Sequence, residues 1–274
     1  MKKILAVSGG IDSMVLFDMF KNDPDAIVAH FNHGTRPSAD DDQKFVERVA
    51  NEFHHSFFTE KQMLGADVSE ESARAARYDF LKRIAREQNG KIYTAHHAND
   101  LLESIAINLI RGTGWRGLAP MSSPDVSRPL LKWTKSDIYQ YAAAHQITFR
   151  QDPTNQEEKY LRNRLRPLIR NLPDSAKNEL LNSSEHQQKL KNEIENSLNE
   201  LLPSSGIYER TWFSDLPESV AIELLRAALV RAGLSATRPQ IKDFLHAIKT
   251  YAPEKSFNLP GGKLVKLHKT YFAL

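Results

Sequence analysis

The first half of this chain alternates between two hydrophobic periods, and that alternation constrains its fold more than any other feature. Short apolar runs at 4–7 (Ile4–Val7), Ile27–Phe31, Ser56–Thr59 and Lys91–Ala95 are separated by segments of helical spacing at 12–22, 39–53, 70–88, 99–111 and 134–146. Short apolar runs bounded by turn residues read as buried strands. Strands that alternate with helices build βαβ units, so the expected fold is α/β: a parallel, doubly wound sheet with helices on both faces. In such a sheet, ligands collect at the carboxyl ends of the strands. Three polar clusters fall at those ends, Ser8–Ser13, His30–Arg36 and His96–Glu103, which points to one shared site.

The first cluster, Ser8-Gly9-Gly10-Ile11-Asp12-Ser13, is a strand-to-helix turn. Two glycines allow the backbone to approach a ligand, and the first amides of the helix point outward unpaired. The helix dipole adds partial positive charge at the same place, which suits a phosphate. The common phosphate loop spaces its glycines further apart and ends in Gly-Lys-Ser/Thr, and no such lysine follows here. Asp12 is the unexpected member: a carboxylate beside a phosphate either holds a metal ion or caps the helix. The motif resembles the pyrophosphate loop of the N-type ATP pyrophosphatases, the PP-loop superfamily. That resemblance implies cleavage of ATP between the α and β phosphates.

Composition removes several classes of chemistry. The 274-residue chain has no cysteine, which excludes disulfides, thiolate metal sites and a cysteine nucleophile or persulfide carrier. No apolar run approaches the length that spans a bilayer, and Met1-Lys2-Lys3 leads directly into the first strand, so the cytoplasm is the expected compartment and no membrane is expected. The net charge of +3 hides a sharp partition. Residues 159–170 carry five positive charges and no negative one, and from Arg231 onward there are eight Lys/Arg against two Asp/Glu. The intervening stretch 174–218 holds nine acidic and four basic residues. Two basic blocks around an acidic one suggest an anionic macromolecular partner, with solvated basic surfaces as the alternative.

The second half is organised differently. Asp152-Pro153-Thr154-Asn155 breaks the alternation, and 174–200 reads as a long polar helix that ends at Pro203-Ser204-Ser205-Gly206. Helices over 217–232 and 238–250 follow, then short strands at Ser256–Leu259, Lys263–Lys266 and Thr270–Ala273, with Pro260-Gly261-Gly262 as a hairpin turn. The expected organisation is a catalytic domain over 1–172, a connecting helix over 173–202 and a smaller α+β domain over 203–274.

Two further constellations bear on chemistry. Asp100 and Glu103 lie three apart near the start of a helix, where they either complement its dipole or hold an ammonium group. His96 and His97 are adjacent and would point to opposite faces of a strand, which makes a poor metal chelate. The loop Arg111-Gly112-Thr113-Gly114-Trp115-Arg116-Gly117-Leu118 is glycine-rich and cationic, and Trp115 either stacks on a base or anchors the loop.

Together these motifs resemble the tRNA(Ile)-lysidine synthetase family. The matching segments occur in that family's order: Ser8–Ser13, His30-Phe31-Asn32-His33-Gly34, Ala73-Arg74-Ala75-Ala76-Arg77-Tyr78, His96-His97-Ala98-Asn99-Asp100 with Glu103, Arg111–Gly114 with Arg116-Gly117-Leu118, Arg128-Pro129-Leu130-Leu131, and Tyr160-x-Arg162-Asn163-x-x-Arg166. Asn258-Leu259-Pro260-Gly261-Gly262 is similar, more loosely, to the family's first substrate-binding domain. The chain departs in having Asn99-Asp100 where the family usually has two aspartates, and it ends after one C-terminal domain where longer members carry another.

The resemblance implies ATP-dependent adenylation at C2 of the wobble cytidine of a tRNA(Ile) with a CAU anticodon. The side-chain amine of L-lysine then attacks, giving lysidine, AMP and pyrophosphate. It implies that Ser8, Gly9, Gly10, Ile11, Asp12 and Ser13 bind ATP, with Asp12 assisting Mg²⁺. Arg74, Arg77, Asp100 and Glu103 are the candidate lysine site, and Asp12, Asp100, Glu103 and His33 the candidate catalytic groups. The candidate tRNA contacts are Arg111, Trp115, Arg116, Arg162, Asn163, Arg166, Arg170, Lys263 and Lys266. A homodimer is left open. A small-molecule PP-loop ligase that uses no tRNA, and a nucleotide-binding regulator without catalysis, are the competing readings.

Overall fold

In a computed structural model of the chain, residues 1–34, 39–63, 70–150 and 161–274 are described. They divide into two compact units, Met1–Gln188 and Lys189–Leu274. The first unit opens with β1 (Lys2–Ala6), α1 (Ile11–Phe20), β2 (Ala26–Asn32), α2 (Ala39–Glu52) and β3 (Ser56–Lys61). It continues with α3 (Glu70–Glu87), β4 (Gly90–Tyr93), α4 (Ala98–Ile110), β5 (Val126–Ser127), α5 (Lys135–Ala144) and α6 (Leu161–Arg170).

The five strands form one parallel sheet in the order β3-β2-β1-β4-β5. Its register pairs Ile4 with Ile27 on one side and with Ile92 on the other. Side chains alternate between faces along a strand. Ile4, Ile27, Ala29 and Ile92 pack with Phe80, Leu81 and Ile84 of α3. Their neighbours Leu5, Val7 and Val28 pack on the opposite face with Met14 and Phe17 of α1 and Phe45, Val46 and Ala50 of α2. Burial on both faces explains the nearly continuous apolar runs, because a parallel sheet has no solvent side. Each fully buried Ile, Leu or Val contributes about 1.5–3 kcal/mol, so the sheet holds its strand ends rigidly. The chain leaves β1 toward β2 on one side and returns to β4 on the other. The strand order therefore reverses beside β1, where open α/β sheets place their ligands.

The doubly wound expectation is met, and β5 is the strand of this sheet that sequence periodicity did not reveal, as Ile207–Glu209 is in the second unit. β5 has two residues, too few to show alternation.

The helix expected over 174–200 is α7 (Asp174–Leu201), and the division between the two units falls within it. The second unit then holds β6 (Ile207–Glu209), α8 (Arg210–Asp215), α9 (Glu218–Arg231), α10 (Arg238–Thr250), β7 (Lys255–Asn258), β8 (Leu264–Leu267) and β9 (Tyr271–Ala273). Its sheet is antiparallel in the order β6-β9-β8-β7, and Pro260-Gly261-Gly262 turns between β7 and β8 as expected. The core gathers Phe213, Phe244 and Phe272, all fully buried, with Leu224, Leu225 and Ile241. Among the described residues, no helix is long and apolar enough to cross a membrane.

Candidate active site

The turn after β1 has the geometry that an anion needs. Gly9 adopts φ +91°, a left-handed conformation that favours glycine, and its carbonyl accepts from the Arg150 amide at 2.9 Å. Gly10 is the N-cap of α1 and supplies no side chain, so the first amides of the helix stay open. Ser13 folds back: its Oγ donates to the Gly10 carbonyl at 2.8 Å and accepts from the Ser8 amide at 3.1 Å, and it lies 3.1 Å from Ser8 Oγ. Ile11 is buried and packs against Leu130 and Ile138, which pins the start of the helix. Asp12 stands in the first turn and is not the cap.

A cleft of ≈ 240 Å³ opens above this turn. It is lined by Ser8, Gly10, Asp12 and Ser13 after β1, by Phe31 at the end of β2 and His33 after it, by Arg77 and Leu81 of α3, and by Thr94, Ala95 and His96 after β4. The three polar clusters expected to share one site therefore meet at the reversal of strand order. Arg36 lies outside the described residues.

His33 sits edge-on to Phe31, with ring centroids 4.8 Å apart, and its Nδ1 is buried without a hydrogen-bond partner among the described residues. Burial, the Arg77 guanidinium and the nearby His30 push its pKa down to about 4, so the imidazole is neutral at physiological pH. His30 is itself buried, its pKa lowered by desolvation, with Nδ1 2.9 Å from the Val7 carbonyl.

At the rim, charge is concentrated. Lys135 Nζ lies 2.5 Å from Asp12 Oδ1, and His97 Nε2 lies 3.8 Å from the same oxygen and 3.5 Å from Asp100 Oδ2. Asp100 Oδ2 also accepts from the His97 amide at 3.0 Å, closing the first turn of α4. His96 Nδ1 lies 2.8 Å from Thr94 Oγ1 and this residue lines the cleft, while His97 is buried against the two aspartates. The strand ends at Tyr93, so the two histidines do not sit on it as expected; His97 instead is the N-cap of α4, and the two have different partners.

Asp100 and Glu103 share the start of α4 but differ in environment. Glu103 is 3% exposed and its Oε1 accepts from Arg166 Nε of α6 at 2.8 Å. Arg166, expected among the tRNA contacts, is thereby anchored to a buried carboxylate. Arg74 and Arg77 lie over the Tyr78 ring, 5.0 and 5.7 Å from its centroid. Arg128 donates to the carbonyls of Met121 and Val126 at 2.7 and 3.2 Å.

The cationic loop after α4 is ordered by its own contacts. Arg111 is the C-cap of α4, and Trp115–Leu118 forms one 3-10 turn. Asn108 Nδ2 donates to the Gly117 carbonyl at 3.0 Å, and the Arg116 guanidinium lies 4.6 Å from the Trp115 ring centroid. Arg170 is exposed at the end of α6. The side chains of Arg162 and Asn163, like Tyr160 and the 152–155 turn, lie outside the described residues. In the second unit, Lys266 pairs with Glu254 at 2.8 Å, and the Lys263 carbonyl accepts from the Leu259 amide at 2.8 Å.

Sequence reasoning did not single out Lys135, the contacts of His97 with two aspartates or the docking role of Asn99. Asn99 Oδ1 accepts from the Lys135 amide at 3.1 Å, tying the start of α5 to the start of α4. The Thr134-x-x-Asp137 spacing announces the helix start, and both of its capping hydrogen bonds form, but the spacing carries no hint of a partner in α1.

Whether Asp12 suits Mg²⁺ can be judged from its surroundings. Its Oδ1 faces Lys135 and His97, whereas Oδ2 makes no hydrogen bond or ion pair among the described residues. No group of three or more His, Cys, Asp or Glu side chains among the described residues is arranged to hold a metal ion. An ion here would rely on one carboxylate and substrate phosphates, which is how Mg²⁺ is usually held. The donor set fits.

The chain is 38% identical over 187 residues to the tRNA(Ile)-lysidine synthase of Thermotoga maritima, covering 62% of this chain and 45% of that protein. It is 33% identical over 281 residues to the enzyme of the same name from Thermus thermophilus, covering 96% of this chain and 54% of that one. The chain thus spans about half the length of these curated relatives. Among solved structures, the U34-tRNA thiolase NcsA from Methanococcus maripaludis shares the fold, with a TM-score of 0.57 at 17% identity over 69% of this chain and 73% of that one. A family model described as the PP-loop domain matches residues 1–172, which takes in the strand order, the Ser8–Ser13 turn and the cleft above it, and the chain belongs to that family.

Proposed function

We propose that this chain carries out tRNA(Ile)-lysidine synthesis in the cytoplasm: it adenylates C2 of cytidine 34 in a tRNA(Ile) with a CAU anticodon and joins L-lysine there. The observation that carries the reading is the meeting of the Ser8–Ser13 turn, His33, Arg77 and His96 around one cleft, with Asp12, Lys135, His97 and Asp100 at its rim. The similarity to relatives that bear this name over most of the chain supports it.

In this reading the C2 carbonyl oxygen of the base attacks the α-phosphorus of ATP, and pyrophosphate leaves. The Ser8 and Ser13 hydroxyls and the open amides after Gly10 hold the phosphates. Asp12 would hold Mg²⁺, which when bound neutralises charge on the leaving group. The lysine ε-amine then forms the C2–N bond, the C2–O bond to AMP breaks, and AMP departs. Attack requires a neutral amine, so Asp100 orients the ammonium and takes its proton, with Glu103, paired with Arg166, one turn further along α4. Neutral His33 is placed to donate or accept one hydrogen bond without adding charge. Arg74 and Arg77 supply positive charge for the lysine carboxylate or a phosphate.

The exposed cations Arg111 and Arg170 and the half-buried Arg116 fit a phosphate backbone, as do Lys263 and Lys266 in the second unit. The three-part organisation 1–172, 173–202 and 203–274 belongs to this reading. The experiment is AMP release from ATP and lysine with and without tRNA. Release that depends on tRNA supports the reading. Turnover indifferent to tRNA replaces it with a small-molecule ligase.

A further inference from the structure

The Ser8–Ser13 turn lacks the lysine of the common phosphate loop, and we infer that Lys135 supplies it from α5. In the free protein its ammonium neutralises Asp12; when a triphosphate enters, it moves to the phosphate oxygens and leaves the Asp12 carboxylate to the divalent cation.

The backbone of Lys135 is fixed. Its amide donates to Asn99 Oδ1 at 3.1 Å, the Ala98 amide donates to the Trp133 carbonyl at 2.9 Å, and Thr134 and Asp137 cap the helix around it. The end of its side chain is not fixed in the same way. Lys135 and Asp12 are 35% and 33% exposed, and an ion pair this open to water is cheap to exchange. Its ammonium also lies 5.4 Å from the Tyr139 ring centroid, a second soft contact on a long side chain whose Cα is fixed.

The charge of the cleft calls for such a group. Among the described residues that line it, Arg77 is the one Lys or Arg, and it comes from α3. The turn itself offers hydroxyls, amides and a carboxylate. A polyphosphate placed there meets the negative charge of Asp12 directly unless a cation stands beside it. Lysine acts on phosphate as a mobile point charge, which suits a handover between two anionic partners.

The inference rests on the ATP step of the proposed function and not on its RNA step. The test uses the whole chain with K135M and K135Q, and two equilibrium probes: α,β-methylene-ATP binding by calorimetry, and Mn²⁺ binding by electron paramagnetic resonance without nucleotide. K135Q can still hydrogen-bond Asp12, so a loss common to both variants reads the charge. Losing one charge-assisted contact should weaken analogue binding about tenfold. Mn²⁺ should bind several-fold more tightly, because Asp12 is released, while Tm stays within about 2 °C of the parent.

Unchanged binding of both probes would overturn the inference and leave a static surface pair. Parallel weakening of both probes with a lower Tm would overturn it in favour of a structural anchor for α5. If the parent protein binds no analogue, the ATP step of the proposed function fails as well; if it binds and the variants match it, this inference fails alone.

Discussion

Asp12 and Lys135 stand 123 positions apart in the sequence, yet their charged ends lie 2.5 Å apart at the mouth of the cleft. The pair joins the first turn of α1 to the first turn of α5. It leaves the Asp12 carboxylate beside the Ser8–Ser13 turn with its charge balanced by an ammonium, a partner that the sequence did not show.

If Asp12 serves the leaving pyrophosphate, D12N should lower the rate of ATP-dependent pyrophosphate release by about a hundredfold or more, the scale of losing one charge-stabilising group in a transition state. Stability should change by less than about 1 kcal/mol, since the pair is exposed to water. Pyrophosphate release in single-turnover assays, beside a urea melt, checks both. A rate within threefold of the parent would remove Asp12 from the chemistry.

For Asp100 the expected effect falls on the amino acid. D100N should raise the lysine KM by about ten- to a hundredfold, the scale of one hydrogen bond to a charged group. The ATP KM should stay within a few-fold, because Asp100 faces His97 and the rim while Ser8 and Ser13 lie in the turn below. Steady-state kinetics with each substrate varied separates the two. An equal loss for both substrates would contradict this division of labour.

Arg166 and Arg170 lie on one basic helix, but the structure separates their roles. Arg166 pairs with buried Glu103, whereas Arg170 is exposed. R166A and E103A should each destabilise by about 1–3 kcal/mol, less than a fully buried pair would lose because the arginine is partly exposed. R170A should leave stability alone and reduce the salt slope of tRNA binding by about 1. Melts together with filter binding at several salt concentrations measure this. Equal stability loss in R166A and R170A would contradict the assignment.

The buried imidazole of His33 predicts a pH dependence. Its pKa is about 4 in the folded protein against an ordinary 6.5. Above pH 6.5 it is neutral in both states, and its contribution is fully present. Between those two values the unfolded chain binds a proton that the folded one does not, so stability falls as pH falls. H33Q should flatten part of this loss, leaving the share due to His30, whose pKa is also lowered. Urea unfolding at pH 7.5 and pH 5 compares the two proteins. An unchanged slope in H33Q would show that His33 does not titrate as its burial requires.

Much of the first unit was legible because its signals are local. Four strands and the helices of the alternating half fall within a few residues of the periodicity, since two-sided burial leaves unbroken apolar runs. The turn at Ser8–Ser13 was legible for the same reason: glycine backbone freedom and helix-start chemistry are properties of adjacent residues. What escaped is tertiary. Lys135 has no sequence signature as a partner of Asp12, and a mid-chain lysine at a helix start looks like any solvated cation. Nor could spacing tell that Glu103 would be buried and claimed by Arg166 while Asp100, three positions earlier, stays at the rim.

The joining of lysine to a tRNA base has one direct test. A tRNA(Ile) transcript with a CAU anticodon is incubated with the protein, ATP and lysine, digested to nucleosides and analysed by mass spectrometry. Cytidine 34 should gain the mass of lysine less one water, dependent on both ATP and lysine. An unmodified cytidine 34 under conditions in which the protein turns over ATP would contradict it.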